Sequence, residues 1–186
     1  FVMVHPSSDP DQVATALARG SFEFQGQKCS AASRAYLPSN LAKAIKKKLI
    51  EQVKTMKVGT TEDFRNFINA VIDEKAFDSI TKYIDGVKKE KQTKIIVGGG
   101  YNKSKGYFIE PTVIETKNPK ATTMCEEIFG PVLTIHEYDE KDFSKTLKLV
   151  DETSPYALTG SIFARDRYAV QEALEKLEFS AGNFYI

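Results

Sequence analysis

The chain contains no tryptophan, two histidines, two cysteines and almost no excess charge. Each scarcity closes off a class of function. The cysteines, Cys29 and Cys125, and the histidines, His5 and His136, stand singly, without the paired spacing of zinc ligands. A disulfide between two such distant thiols stays open, although so low a cysteine content fits a reducing compartment better. Lacking tryptophan, the chain has no Gly-Ser-Cys-Trp surround of the papain-like thiol proteases. Lys plus Arg number 26 against 25 Asp plus Glu, a formal charge of +1. That balance gives no reason to expect nucleic acid or an anionic membrane as a partner. No apolar run approaches the roughly 20 residues that cross a bilayer. No basic stretch followed by an apolar one opens the chain as a secretory signal does.

What is present reads as one domain, since 186 residues bury a single ordinary core. Asp9 and Pro10 suit the cap and first position of a helix with Val13 and Leu17 on its apolar face. Arg34–Pro38 reads as a short strand ended by proline. Ser39 or Asn40 suits the cap of a second helix. That helix turns Leu41, Ile45, Leu49, Val53 and Met56 inward and Lys43, Lys46, Lys47 and Lys48 to solvent. Residues 60–70 read as a loop with an apolar patch at Phe64, Phe67 and Ile68. Asp73 caps a helix carrying Phe77, Ile80, Ile84 and Val87. Residues 95–97 suggest a short buried strand ended by Gly98, Gly99 and Gly100. That glycine run is followed by neither the Gly-Lys-Ser/Thr of a P-loop nor the last glycine of a dinucleotide fingerprint, so it is read as a turn. Residues 108–114 are strand-like but broken by Pro111, hence bent or at an edge. Residues 132–138 give the clearest strand, and Phe143, Leu147 and Val150 mark a helix. Residues 160–163 follow as a strand, and Asp166 caps a helix with Val170, Leu174 and Leu177 inward. Residues 182–186 form a last strand. Strands alternating with helices predict an α/β domain with a mainly parallel sheet.

Chemistry concentrates at Gly26-Gln27-Lys28-Cys29-Ser30, a glycine-bearing turn between the first helix and the Arg34 strand. A free cysteine is more often a small buried hydrophobe than a nucleophile, yet these neighbours are not those of a packed thiol. An ordinary thiol, with a pKa of about 8.5, is only a few per cent thiolate at neutral pH. Outward-pointing backbone N–H groups at such a junction, and the cation of Lys28, are expected to raise that fraction. Ser30 and Ser33 either donate to a carboxylate-bearing substrate or satisfy local backbone. Phe22 either packs beneath the turn or walls a pocket, and Arg34 reads as a brace for the loop. Farther on, Glu126-Glu127-Ile128-Phe129-Gly130-Pro131 sets a carboxylate and an aromatic ring on one short loop entering a strand. Taken alone, that pair reads as a helix-end carboxylate and a core phenylalanine. Cys125 reads as a buried thiol.

The string Phe22-x-x-x-Gly26-Gln27-x-Cys29-x-Ala31-x-x-Arg34 resembles the active-site cysteine motif of the aldehyde dehydrogenase superfamily. Glu126 to Val132 is similar to that family's cofactor-ribose motif, and Gly106-Tyr107-Phe108-Ile109-Glu110-Pro111-Thr112 matches the strand between the two. The likeness runs along nearly the whole chain. Within the family, Gly26-Gln27-Lys28-Cys29-Ser30-Ala31 and Ser180 to Ile186 look most like the branch acting on glutamate 5-semialdehyde, the open form of 1-pyrroline-5-carboxylate, in proline catabolism. The resemblance implies a three-layer α/β catalytic domain over residues 1–186, with a mainly parallel twisted sheet. It implies Cys29 as the nucleophile, passing through a thiohemiacetal and a thioester, with NAD as cofactor. Glu127 is then expected on the ribose and Phe129 against the nicotinamide, with Lys28, Ser30 and Phe22 on the substrate side. A small aldehyde as substrate, a homo-oligomeric parent and the mitochondrial matrix follow from the same resemblance.

The family's general base, its oxyanion asparagine and its dinucleotide-binding domain precede the point matching Phe1, and its tail follows Ile186. The apolar runs at both ends read as strands cut from a longer protein, so a catalytic-domain piece, inactive alone, is expected. Three other readings stand beside this one: NAD(P)-dependent oxidation of a different aldehyde, a module that keeps the fold without turnover, and a thiol hydrolase. The last requires a histidine close to Cys29.

Overall fold

The computed structural model describes residues 1–155 and 158–186. Along the chain lie β1 (Val2–Val4), α1 (Pro10–Phe22), β2 (Arg34–Pro38), α2 (Ser39–Thr55), β3 (Lys57–Val58), β4 (Asn66–Ile68) and α3 (Glu74–Val87). There follow β5 (Thr93–Val97), β6 (Tyr101–Asn102), β7 (Phe108–Ile109), β8 (Thr112–Thr116), α4 (Thr122–Cys125) and β9 (Val132–Tyr138). The last elements are α5 (Phe143–Thr153), β10 (Thr159–Phe163), α6 (Arg167–Lys176) and β11 (Asn183–Tyr185). Aspartates open three of the helices as their sequence positions require. Asp9 accepts from the Asp11 and Gln12 N–H groups, Asp73 from Ala76, and Asp166 from Tyr168 and Ala169. Such a cap is worth about 0.5–2 kcal/mol over alanine, because it satisfies helix donors that have no partner within the helix.

Seven strands form one sheet in the order β11-β10-β1-β2-β9-β8-β5. All neighbours run parallel except β5, which is antiparallel to β8. The pleat sorts side chains into two layers. Val2 and Val4, Ala35 and Leu37, Val113, and Leu133 and Ile135 face α1 and α2 in one buried cluster. Phe1, Met3 and Tyr36 face α5 and α6 on the other side. Ile114 and Val132 on that side pack with α3 through Phe77, Ile80 and Ile84. Helices therefore cover both faces, which is the three-layer α/β arrangement expected. Among the described residues no helix is long and apolar enough to cross a membrane.

Several local expectations are corrected. Ser39 does not cap α2. Pro38 takes that position, and the Ser39 hydroxyl instead donates to Glu140 at 2.7 Å. Lys46 is not a free solvated cation. Its ammonium pairs with Glu115 of β8 and, at 2.9 Å, with Glu137 of β9, tying α2 to the sheet it covers. Residues 60–70 contain β4, which pairs with β3, while Phe64 stands almost fully in solvent. The strand at 95–97 is longer and only half-buried, because β5 is the sheet's edge. Residues 108–114 split at Pro111 into β7 and β8, which belong to different sheets. The buried stripe of α6 is Ala169, Ala173 and Leu177, leaving Leu174 40% exposed.

The carboxyl ends of β1, β2, β9 and β10 are closed by their own turns. Ser7 Oγ accepts from the Arg165 and Asp166 N–H groups, and Arg165 pairs with Asp9. Asn40 donates to the Pro6 carbonyl, alongside the Ser39–Glu140 bond. In open parallel sheets this is the end where ligands usually bind; here these hydrogen-bonded turns cross it.

Candidate active site

The thiol is delivered by a strained turn. After α1 the chain passes through a short 3₁₀ turn, Glu23–Gly26, with Phe24, Gln25 and Gly26 in succession at φ of 52°, 59° and 65°. A left-handed conformation costs a residue other than glycine roughly 1–2 kcal/mol, so surrounding contacts must impose it. Four are visible. The Ile72 N–H donates to Gln27 Oε1 at 3.0 Å. The Ala32 N–H returns to the Gly20 carbonyl at 3.0 Å. Lys28 pairs with Glu23 at 3.2 Å and lies 5.5 Å from the centre of the Phe24 ring. Gly26 presses against Gly130, so closely that a Cβ on Gly26 would stand 2.2 Å from the Gly130 carbonyl oxygen and 2.8 Å from that of Ser21. The next turn, closed by the Ala31 N–H on the Lys28 carbonyl at 2.9 Å, places Cys29 and Ser30 at its two corners. Cys29 is exposed there, and both cysteines are free thiols.

The second loop arrives from α4. Phe129 again has a left-handed backbone, at φ 57°. Ile128 is buried against the α3 cluster, whereas Glu127 is exposed and Phe129 is 43% exposed. The Pro131 carbonyl accepts from Thr112 N–H at 2.9 Å, joining the loop to β8 before β9 begins. The contact of Gly26 with Gly130 brings the two loops together, although they lie a hundred residues apart in sequence.

Between them is a cleft of about 330 Å³, bordered by Lys28, Cys29, Ser33, Arg34, Glu127 and Phe129 and closed on the far side by Phe1, Ser154 and Leu158. It opens at the amino ends of the parallel strands. Phe1 precedes β1, Arg34 begins β2, Val132 begins β9 and Thr159 begins β10, and all of them border it. Arg34 lies beneath the cleft, 5% exposed, its guanidinium 5.7 Å from the Phe1 ring centre and its Nε without a hydrogen-bond partner among the described residues. Burial pushes its pKa below the ordinary arginine value. The hydrogen bond from Lys28 holds the Glu23 carboxyl below its usual range.

Cys29, Lys28, Glu127 and Phe129 thus meet where the sequence patterns placed them. Two of the expected site residues do not. Phe22 is fully buried in the cluster with α1 and α2, so it packs in the core and does not border the cleft. Ser30 is exposed on its corner and does not border the cleft, whereas Ser33 does. The electrostatic reasoning around the thiol also changes. The elements flanking Cys29 are the carboxyl end of α1 and the start of β2, so neither turns a helix N-terminus toward it. The Lys28 cation is directed to Glu23. Cys125 is only half-buried. Neither histidine borders the cleft. His5 bonds Ser7 and His136 bonds the Thr116 carbonyl, which removes the basis for a thiol hydrolase. Phe1, Ser154 and Leu158 were not foreseen, because only the sheet order brings them to the thiol. Ile128 was detectable as the lone aliphatic between Glu127 and Phe129. Among the described residues no cluster of three or more His, Cys, Asp or Glu forms a metal site.

A strained cysteine loop thus abuts a Glu-x-Phe-Gly-Pro loop, and comparison with known proteins shows the family of the chain. The chain belongs to the aldehyde dehydrogenase family, whose family model matches residues 1–186. Among individual relatives it is 51% identical over 186 residues to the mitochondrial delta-1-pyrroline-5-carboxylate dehydrogenase of Dictyostelium discoideum, covering all of this chain and 33% of that protein. The human protein of the same name is 45% identical over 187 residues, again with 33% of its length covered. The delta-pyrroline-5-carboxylate dehydrogenase of Mycobacterium tuberculosis, solved with NAD bound, superposes on the whole chain with a TM-score of 0.93 at 40% identity, over 33% of its length. The chain spans about a third of the length of these relatives.

Proposed function

We propose that this chain is the thiol-bearing catalytic domain of an NAD-dependent enzyme that oxidises glutamate 5-semialdehyde, the open form of 1-pyrroline-5-carboxylate, to glutamate. The observation that carries the proposal is the seating of Cys29, Glu127 and Phe129 on one cleft, with their loops locked together at Gly26 and Gly130. In this reading the Cys29 thiolate adds to the aldehyde carbon, forming a C–S bond and leaving the charge on oxygen. The backbone N–H of Cys29 is placed to stabilise that oxygen, as nucleophile amides do in acyl transfer. A bound NAD would supply the hydride acceptor, and hydride loss from that carbon would leave a thioester on Cys29. Water then cleaves the thioester to the carboxylate and restores the thiol. The exposed Glu127 carboxylate suits a ribose diol, since it accepts two hydrogen bonds, and the half-exposed Phe129 ring offers an apolar face to a nicotinamide. By the family resemblance, the base that activates the water and the dinucleotide-binding domain belong to the part of the relatives' length that this chain does not span, and the chain alone is expected to be inactive. Relatives named as mitochondrial favour the mitochondrial matrix as its location, and assembly as a homo-oligomer is carried over from the family resemblance alone.

The test is kcat/KM of the intact protein for glutamate semialdehyde against an aliphatic aldehyde of similar length. A site built to hydrogen-bond the carboxylate and amine of the substrate rejects an analogue that leaves its donors unpaired. A preference of at least about 100-fold is expected, well inside the range such sites reach. Equal values, or preference for the aliphatic compound, overturn the substrate while leaving the family untouched.

A further inference from the structure

The Tyr83 hydroxyl donates to the Glu126 carboxylate at 2.6 Å. Tyr83 belongs to α3, which contributes no residue to the border of the cleft, yet α3 meets the Glu127–Phe129 loop at two further points. Ile80 shares a buried cluster with Ile128. A Cβ placed on Gly130 would stand 2.6 Å from Ile80 Cδ1. The loop therefore meets α3 through Glu126, Ile128 and Gly130; Ile128 and Gly130 are buried, whereas Glu126, itself on the border of the cleft, Glu127 and Phe129 are exposed. The meetings at Ile128, within the α3 cluster, and at Gly130, against Ile80, are apolar and non-directional. The Tyr83 bond has a direction, and it acts on the residue next to Glu127. The left-handed backbone of Phe129 also needs such over-determination to persist.

We propose that Tyr83 is a positioning residue for the cofactor, its bond to Glu126 fixing the direction in which Glu127 and Phe129 project into the cleft. The proposal rests on the function assigned above. It is tested in the intact protein with Tyr83→Phe, Glu126→Ala, the double variant, and Glu126→Gln, which keeps an acceptor oxygen for the hydroxyl. NAD affinity is read by direct titration without aldehyde, and the rate of Cys29 alkylation and the Tm are read alongside. Tyr83→Phe and Glu126→Ala are each expected to weaken NAD three- to tenfold. The double variant is expected to be no weaker than either, Glu126→Gln to stay near wild type, and Cys29 alkylation without cofactor to be unchanged. A merely structural bond would lower Tm and leave NAD affinity alone, and that result overturns the proposal, as do additive losses in the double variant. Because the titration contains no aldehyde, a wrong substrate assignment leaves this test intact. A wild type that binds no NAD overturns both readings together.

Discussion

Cys29 stands at the corner of a turn in solvent, while Cys125 sits half-buried at the end of α4. A limiting alkylating agent is therefore expected to modify Cys29 first, with the adduct mapped by mass spectrometry; preferential labelling of Cys125 would contradict its assignment as the nucleophile. Glu127→Gln removes a charged acceptor from the proposed ribose contact. A hydrogen bond to a charged group is worth about 1.5–3 kcal/mol, so single-turnover cofactor reduction should slow roughly ten- to a hundredfold. An unchanged rate would take Glu127 out of the site. Cys29 stands out in the sequence by its glycine-bearing turn, whereas Glu127 and Phe129 are legible only through the family resemblance, since alone they read as a helix end and a core ring. Phe22 follows Ala14 and Ala18 at i, i+4 spacing on the buried stripe of α1, and of its two readings that spacing favours packing. The resemblance puts Ser30 on the substrate side, yet it is Ser33 that borders the cleft, a difference set by the path of the turn into β2.

Aspartate caps were readable at α1, α3 and α6, because the cap bond is local and its residue preference strong. At α2 the same reasoning failed. The strand ends directly in the helix, and Ser39 was already claimed by Glu140 from a turn a hundred residues away. The amphipathic stripe of α2 held, with Ile45 and Leu49 fully buried. Leu49→Ala should accordingly cost about 2–5 kcal/mol, through lost transfer energy and a cavity, visible as a lower urea midpoint at unchanged m. Gly26→Ala tests a different element, the junction of the two loops. Its added methyl meets backbone that has no rotamer to yield, at a φ that alanine disfavours. Strain at such a position costs on the order of 1–3 kcal/mol. Cofactor affinity and thiol reactivity should fall together, and a variant that retains both would show that the loops are not locked at this point.

For the whole molecule, the parallel α/β architecture was legible from the alternation of patterns, and the strand order was not. Nothing local places β1 between β2 and β10, although that placement brings Phe1 and Leu158 to the thiol. The two histidines give the folded state a pH dependence. Burial holds both below the ordinary imidazole value of 6.5, against a partly offsetting bond from His136 to the Thr116 carbonyl and the nearby carboxylates Asp166 and Glu172 at His5. Between the folded and unfolded values the unfolded chain binds more protons, so stability rises with pH there. This contribution is complete above about 6.5 and is lost as pH falls through the folded values. Urea midpoints of the intact protein should drop between pH 7 and pH 5.5, and His136→Gln should flatten that slope; an equal slope in the variant would assign the effect elsewhere. The closure of the strands' carboxyl ends has a practical consequence for handling the enzyme. Lys141 lies exposed just beyond the carboxyl end of β9, at the opposite end of the sheet from the thiol. Immobilised on a support through that one side chain, the chain would stand with its cleft toward the bulk solution, every molecule oriented alike and its thiol open to diffusing reagents.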